Sequence, residues 1–143
     1  MKSPIEAWHR GVANFDSSGL DDILAENVLF YSPVLFKPQQ GKVITKAYLT
    51  AAFRIFHKAG FHYVKELVDK GQAVLEFNAE IDGVLFDGVD IISWNEEGKI
   101  TEFKVMIRPF RAIEKVGEKM REQLSNMSVM DKLKIGANRL LGK

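Results

Sequence analysis

Cysteine is absent from this 143-residue chain. Disulfides, thiolate nucleophiles and cysteine-based zinc sites are therefore excluded from the start. An excess of one charge is also missing: 20 Lys and Arg stand against 19 Asp and Glu, a formal net charge of +1. Binding to nucleic acid draws on a surplus of basic residues, so no nucleic-acid partner is expected. No apolar run approaches the roughly 20 residues of a membrane-spanning helix. The opening Met1-Lys2-Ser3-Pro4-Ile5-Glu6 lacks the apolar core of a signal peptide. A cytoplasmic location is the simplest expectation. Glycine-rich loops ending in Lys-Ser or Lys-Thr, which cradle phosphates, are missing too. The histidines are His9, His57 and His62, and their spacing fits no metal-binding helix motif. Neither a metal nor any other cofactor is expected.

What is present suits one globular domain. At 46% hydrophobic and 27% charged, the chain can bury a core of its own. Ser3, Pro4 and Glu6 form a capping box with proline at the first helical position. Ile5, Trp8, Val12 and Phe15 then recur at helical spacing until Asp16-Ser17-Ser18-Gly19 stops them. A short helix is expected over Leu20 to Ala25, a strand over Asn27 to Ser32, and a longer helix from Lys42 to Ala59 capped by Gly60. Strands follow at His62–Val68, Gln72–Ile81, Gly88–Trp94 and Lys99–Arg108. Asp82-Gly83 is the strongest hairpin signal. Asp87-Gly88 falls inside the next strand pattern, where a bulge or sharp bend is expected. After Pro109, Ile113, Val116, Met120 and Leu124 make a last helical stripe. The domain is expected to span 1–126, with 127–143 as a separable tail.

Three passages carry a family resemblance: Val28-Leu29-Phe30-Tyr31-Ser32-Pro33-Val34, then Gly88-Val89-Asp90-Ile91-Ile92-Ser93-Trp94-Asn95-Glu96-Glu97-Gly98-Lys99-Ile100, and Val105-Met106-Ile107-Arg108-Pro109. With the order of elements, they resemble SnoaL-like proteins of the nuclear transport factor 2-like superfamily, which share the fold of ketosteroid isomerase. The resemblance implies an α+β fold, a cone-shaped curved antiparallel sheet with three N-terminal helices enclosing a pocket. It implies a small apolar ligand, and possible isomerase, cyclase or hydrolase chemistry on a carbonyl-containing or polycyclic substrate. A non-catalytic binder or dimeric scaffold is the alternative, because this fold hosts many activities.

Asp90 matches the position where ketosteroid isomerase keeps a neutral, hydrogen-bond-donating acid. Ile92 and Trp94 share its strand face and would favour the uncharged form. Parity alone leaves the direction open, since Val89 and Ile91 make the other face nearly as apolar. The isomerase's catalytic carboxylate, just before a proline, is matched here by Ser32, and its helical tyrosine by about Gly11. By resemblance to SnoaL-type cyclases, His62 is the histidine that would accompany Asp90. His57 and His62 also read as solvated histidines near a helix end. The expected pocket wall takes Trp8, Val12 and Phe15 from the first helix, and Phe30 and Ser32 from the first strand. It takes Phe53 and His57 from the long helix, and Phe77, Ile92, Trp94 and Phe103 from the later strands.

Two expectations concern surfaces. Val74, Val89, Ile91 and Met106 should face outward amid Glu76, Glu80, Glu102, Lys104 and Arg108, a pattern suited to a homodimer through the outer sheet face. Arg108 should pair there with Glu76 or Glu80. The tail carries basic and apolar residues, but Gly136, Asn138 and Gly142 make it a poor amphipathic helix. Membrane contact by the tail is not expected.

Overall fold

The computed structural model describes residues 2–126; the expected tail, 127–143, lies outside the described residues. Ser3 Oγ accepts the Ile5 N–H at 3.2 Å and opens α1, Ile5–Asn14. The expected capping box is not made: Pro4 is itself the N-cap, Ser3 binds Ile5 and not Glu6, and the Glu6 carboxylate reaches forward to Arg10 at 3.3 Å. Ile5, Trp8 and Val12 bury the apolar face. A 3-10 turn, Ser17–Gly19, leads into α2, Leu20–Ile23. This helix is shorter than expected. Leu24 already pairs with Ile100 and begins β1, Leu24–Tyr31, so sheet pairing overrides local helix preference.

After the two-residue β2, Gln39–Gln40, comes α3, Lys42–Phe56. Its last turn tightens where Ala59 donates to the Phe56 carbonyl at 3.0 Å. The Ala59 carbonyl then accepts from Glu80 at 2.8 Å, which ties this turn to the sheet. Gly60 follows with φ +62°, the left-handed conformation that favours glycine. Four strands come next: β3 His62–Asp69, β4 Gln72–Ile81, β5 Val84–Trp94 and β6 Ile100–Arg108. The last helix is α4, Phe110–Ser125. Among the described residues, no helix is long and apolar enough to cross a membrane.

The sheet runs β2-β1-β6-β5-β4-β3. Its neighbours are antiparallel except β1 and β6, which are parallel. The expected antiparallel sheet thus contains one parallel contact. The long excursion between these strands supplies the crossover that a parallel pair requires. Along β4, Ala73, Leu75, Phe77, Ala79 and Ile81 are all buried, and the residues between them face outward, as the alternation predicts. The helices cover this concave face. Lys115 and Lys119 of α4 both reach Asp82 in the β4–β5 turn, at 3.5 and 3.4 Å. Arg108 does lie on the convex face, but its partner is Asp87 at 3.2 Å. The two are register neighbours on β5 and β6, whereas Glu76 and Glu80 stand one strand farther away.

Gly88 is required for a different reason from the expected one. The β4–β5 and β5–β6 registers run through it without a shift, so there is no bulge. Instead the neighbouring strand and core come very close. A Cβ at position 88 would lie 2.3 Å from the Met106 carbonyl oxygen and 2.7 Å from Phe77 Cζ. The first of these contacts is to backbone and cannot rotate away. Gly88→Ala should therefore lower stability by about 2–3 kcal/mol through overpacking, read as a lower urea midpoint at unchanged slope. A loss below about 0.5 kcal/mol would mean that the strands separate freely there.

Candidate functional site

The side chains of the described residues do not fill the concave face. A cavity of about 630 Å³ remains, within the roughly 300–1,000 Å³ typical of ligand sites. Trp8 and Val12 wall it from α1 and Phe15 from the cap that ends α1, Leu49 and Phe53 from α3, and Phe77, Phe103 and Val105 from the sheet. The loop Ser32–Leu35 and the inner face of α4 complete it. Ring contacts stiffen the wall: Trp8 meets Phe103 edge-on at 4.8 Å, and Phe61 stacks on Phe77 at 4.8 Å.

Asp90 projects into this space from β5, a strand paired on both sides. Its register partners are Leu75 and Val105, and the whole residue is 5% exposed. The inward alternative left open by parity is the one realised. Tyr63 Oη lies 2.5 Å from Asp90 Oδ2, and Trp8 Nε1 lies 2.9 Å from Tyr63 Oη. An indole nitrogen can only donate. Trp8 therefore donates to the phenol oxygen, and the phenol donates its own proton to Asp90. Burial pushes the Asp90 carboxyl up to about 7, with the Tyr63 hydrogen bond pulling the other way. Burial and the nearby Asp90 charge push the Tyr63 phenol well above its ordinary value, so it remains a donor at neutral pH.

Tyr63 was not among the residues expected from sequence, and the reason is a register shift. Counting back from the Lys70-Gly71 turn without irregularity pairs Tyr63 with Asn78, on the outer face. The ladder instead slips between Tyr63 and Lys65, and Tyr63 stands opposite Phe77. An unpaired residue here turns the phenol inward. The same slip explains a second outcome. His62 pairs opposite Asn78, is exposed, and places Nδ1 2.9 Å from the Gly60 carbonyl oxygen. It does not line the cavity, so the anticipated Asp90–His62 pair is not assembled.

The other expected wall residues divide. Trp8, Val12, Phe15, Phe30, Phe53, Phe77 and Phe103 line the cavity. Ile92 and Trp94 are buried at 0% and 7% exposure within the packed core and are not part of the lining. They point to the same side as Asp90 but lie where the cone is already filled. His57 caps the end of α3, exposed, with its ring 5.7 Å from that of Phe15; it too lies outside the lining. Ser32 lines the cavity, yet its Oγ accepts the N–H groups of Val34 and Leu35 at 3.2 and 2.9 Å. That hydroxyl holds a turn together. Among the described residues, no three of His, Asp and Glu gather as a metal-holding cluster.

The raised Asp90 pKa links acidity to stability with a definite sign. Below its ordinary 3.8, both folded and unfolded states hold the proton. Between that value and about 7, only the unfolded state ionises, and stability falls by about 1.4 kcal/mol per pH unit. Above the folded value the loss levels off. Asp90→Asn should therefore gain stability over the native chain as pH rises from 4 to 7, measured by urea unfolding. Carboxyl-carbon NMR should place the native midpoint near 7, and Tyr63→Phe, which removes the opposing hydrogen bond, should move it upward. An Asp90 midpoint near 4 would contradict the burial described above.

Comparison with known proteins agrees with this geometry. The family model described as SnoaL-like domain matches residues 5–103. A solved steroid delta-isomerase from Pseudomonas aeruginosa is similar at 31% identity, covering 85% of this chain and 88% of that one, with a TM-score of 0.81. An uncharacterised bacterial protein with a cystatin-like fold, from Silicibacter pomeroyi DSS-3, is similar at 27% identity over 94% of this chain and 93% of that one, with a TM-score of 0.84. An NTF2-like protein of unknown function from Mesorhizobium loti shares the fold at 16% identity, covering 73% and 88% of the two chains, with a TM-score of 0.67. No curated protein matches the sequence. The chain belongs to the SnoaL-like family, on the nuclear transport factor 2-like fold.

Proposed function

We propose that the cavity takes an apolar small molecule presenting a carbonyl or similar oxygen, and that Asp90 in its acid form recognises that oxygen. One observation carries this reading: a carboxyl group is enclosed in an apolar cavity with Tyr63 as its one hydrogen-bond partner among the described residues. Tyr63 occupies Oδ2 alone. A protonated Asp90 retains one O–H to offer a ligand, and an apolar surround strengthens that bond. The reaction that follows is proton transfer beside the carbonyl. One Asp90 oxygen gives its proton to the ligand oxygen while the other takes the proton from the adjacent carbon, forming the enol. The reverse exchange at a conjugated carbon restores both the carbonyl and the acid. A group with a pKa near 7 can both hold and release a proton at neutral pH. The likeness to a steroid delta-isomerase supports this class of substrate.

The second reading is a binding protein without turnover. Ser32 is committed to its turn, and none of the three histidines lines the cavity, so a second base beside Asp90 is missing among the described residues. The two readings separate on one pair of compounds. Calorimetry with 4-androstene-3,17-dione should show binding that weakens as pH rises above 7, when the donor proton is lost. Asp90→Asn, which keeps an N–H donor, should bind without that pH dependence. Asp90→Leu should bind about tenfold more weakly, the worth of one buried hydrogen bond. Conversion of 5-androstene-3,17-dione to its conjugated isomer by the native chain, lost in Asp90→Asn, marks an isomerase. Binding without conversion marks the second reading. Absence of binding would overturn both.

A dimer is the quaternary arrangement we propose. Val74, Val89 and Ile91 are half-buried and Met106 is 51% exposed on the convex face, rimmed by Glu76, Glu80, Glu102 and Lys104. Mixed charge around an apolar patch suits a two-fold, self-complementary contact. Sedimentation at micromolar concentration should give a dimer, and Val89→Glu a monomer. A monomeric native chain would remove the proposal.

A further inference from the structure

α4 gives the cavity more than a wall. Apart from Asp90, Arg121 is the charged side chain lining the cavity among the described residues. The two sit at opposite depths: Asp90 is 5% exposed, whereas Arg121 is exposed. The guanidinium folds back one turn along the helix, as helical side chains do. Its Nη1 lies 3.9 Å from the point that a Cβ on Gly117 would occupy, and that point is 3.4 Å from Val34 Cγ2 in the Ser32–Leu35 loop. Gly117 leaves open the space between helix and loop, and the guanidinium stands beside it at the cavity mouth.

The acids around Arg121 do not neutralise it. Glu118, one turn earlier on the same helix, approaches Lys115 at 3.9 Å. Among the described residues, Arg121 has no carboxylate partner. An arginine presents a planar fork of donors matched to oxyanions, and it keeps its charge throughout the pH range of interest. Here that fork borders an apolar cavity, where water competes less than on an open surface.

We propose that Arg121 anchors an anionic group at the cavity mouth, so that the ligand is an amphipathic molecule. Its apolar body fills the cavity, an oxygen at the buried end meets Asp90, and an oxyanion, most simply a carboxylate, meets Arg121 at the exposed end. This rests on the reading of Asp90 given above and adds the chemistry of the ligand's other end. A neutral compound of the same shape would bind through the apolar body and Asp90 alone.

The test uses the full chain at pH 6, where Asp90 is largely protonated and a ligand carboxylate is ionised. Two probes differ in charge at one end: 3-oxo-4-androstene-17β-carboxylic acid and its methyl ester. The native chain should bind the acid about tenfold more tightly than the ester, the scale of a charge-assisted contact at a partly dry site. Arg121→Gln should abolish that preference, so that acid and ester bind alike, while Arg121→Lys should retain part of it. High salt should shrink the preference in the native chain. Equal binding of acid and ester by the native chain, or a preference that survives Arg121→Gln, would overturn the anion anchor and leave the Asp90 pocket standing. Failure of both compounds to bind would overturn the anchor together with the pocket reading.

Discussion

A carboxyl group shut into an apolar cavity must be neutral, paired with a cation, or hydrogen-bonded, because an isolated carboxylate there is too costly to keep. Asp90 meets this constraint with a proton and one hydrogen bond from Tyr63. Among the described residues, no cation is arranged to pair with it in the depth of the site; the lining Arg121 stays exposed. Much of the surrounding architecture follows from that solution. Trp8 of α1 must reach Tyr63 of β3, and Tyr63 must reach Asp90 of β5. Three elements far apart in sequence are thereby fixed to one another across the cavity. A fully apolar replacement would remove the desolvation cost, but it would also leave Tyr63 without an acceptor.

The join depends on one irregular residue pair. Edge strand β3 slips register between Tyr63 and Lys65, and the slip sets which side chain faces the cavity. Beyond it, Glu66 stands opposite Leu75 and pairs with His9 of α1, while the His9 ring meets Tyr63 edge-on at 5.5 Å. The first helix thus grips the open edge of the sheet through two adjacent polar contacts, one exposed and one buried. The exposed pair contributes little to stability. The buried pair holds the phenol whose hydrogen bond partly offsets the effect of burial on Asp90.

Most of the fold was legible because it rests on patterns a sequence displays. The alternation in β4, the Asp82-Gly83 turn and the stripe of α4 depend on nearest-neighbour spacing. Boundaries were harder where tertiary pairing overrode local preference, as at Leu24, which reads as helix and pairs as strand. Asp90 could be found through its family position, although strand parity did not decide its direction. Tyr63 and His62 could not be placed, because a single unpaired residue in β3 exchanges inside for outside. Ile92 and Trp94 failed differently. Parity set them on the same face as Asp90, and only the family position turned that face inward; depth along the cone, which no local pattern encodes, put them in filled core. The contribution of Arg121 was likewise hidden, since its place at the mouth comes from the docking of α4 against the loop after β1.

These placements divide the site into a fixed part and an adjustable part. Asp90 stands on β5, hydrogen-bonded to strands on both sides, so its position is set by the centre of the sheet. Its donor, Tyr63, comes from an edge strand, and the group that holds that donor, Trp8, from a helix. A substitution in either can change the proton affinity of the acid while hardly moving it. The same fold elsewhere hosts different activities, and this separation gives a physical route to that diversity. Here the cone buries one polar group, which sets its acidity first, and the surrounding side chains adjust that acidity and what else the group meets. In this chain the rim supplies a phenol that tempers the acid and a serine occupied by its own turn. On the reading proposed above, recognition of an oxygen atom falls to Asp90 itself, and a proton moved in the cavity is one that this carboxyl gives and takes back.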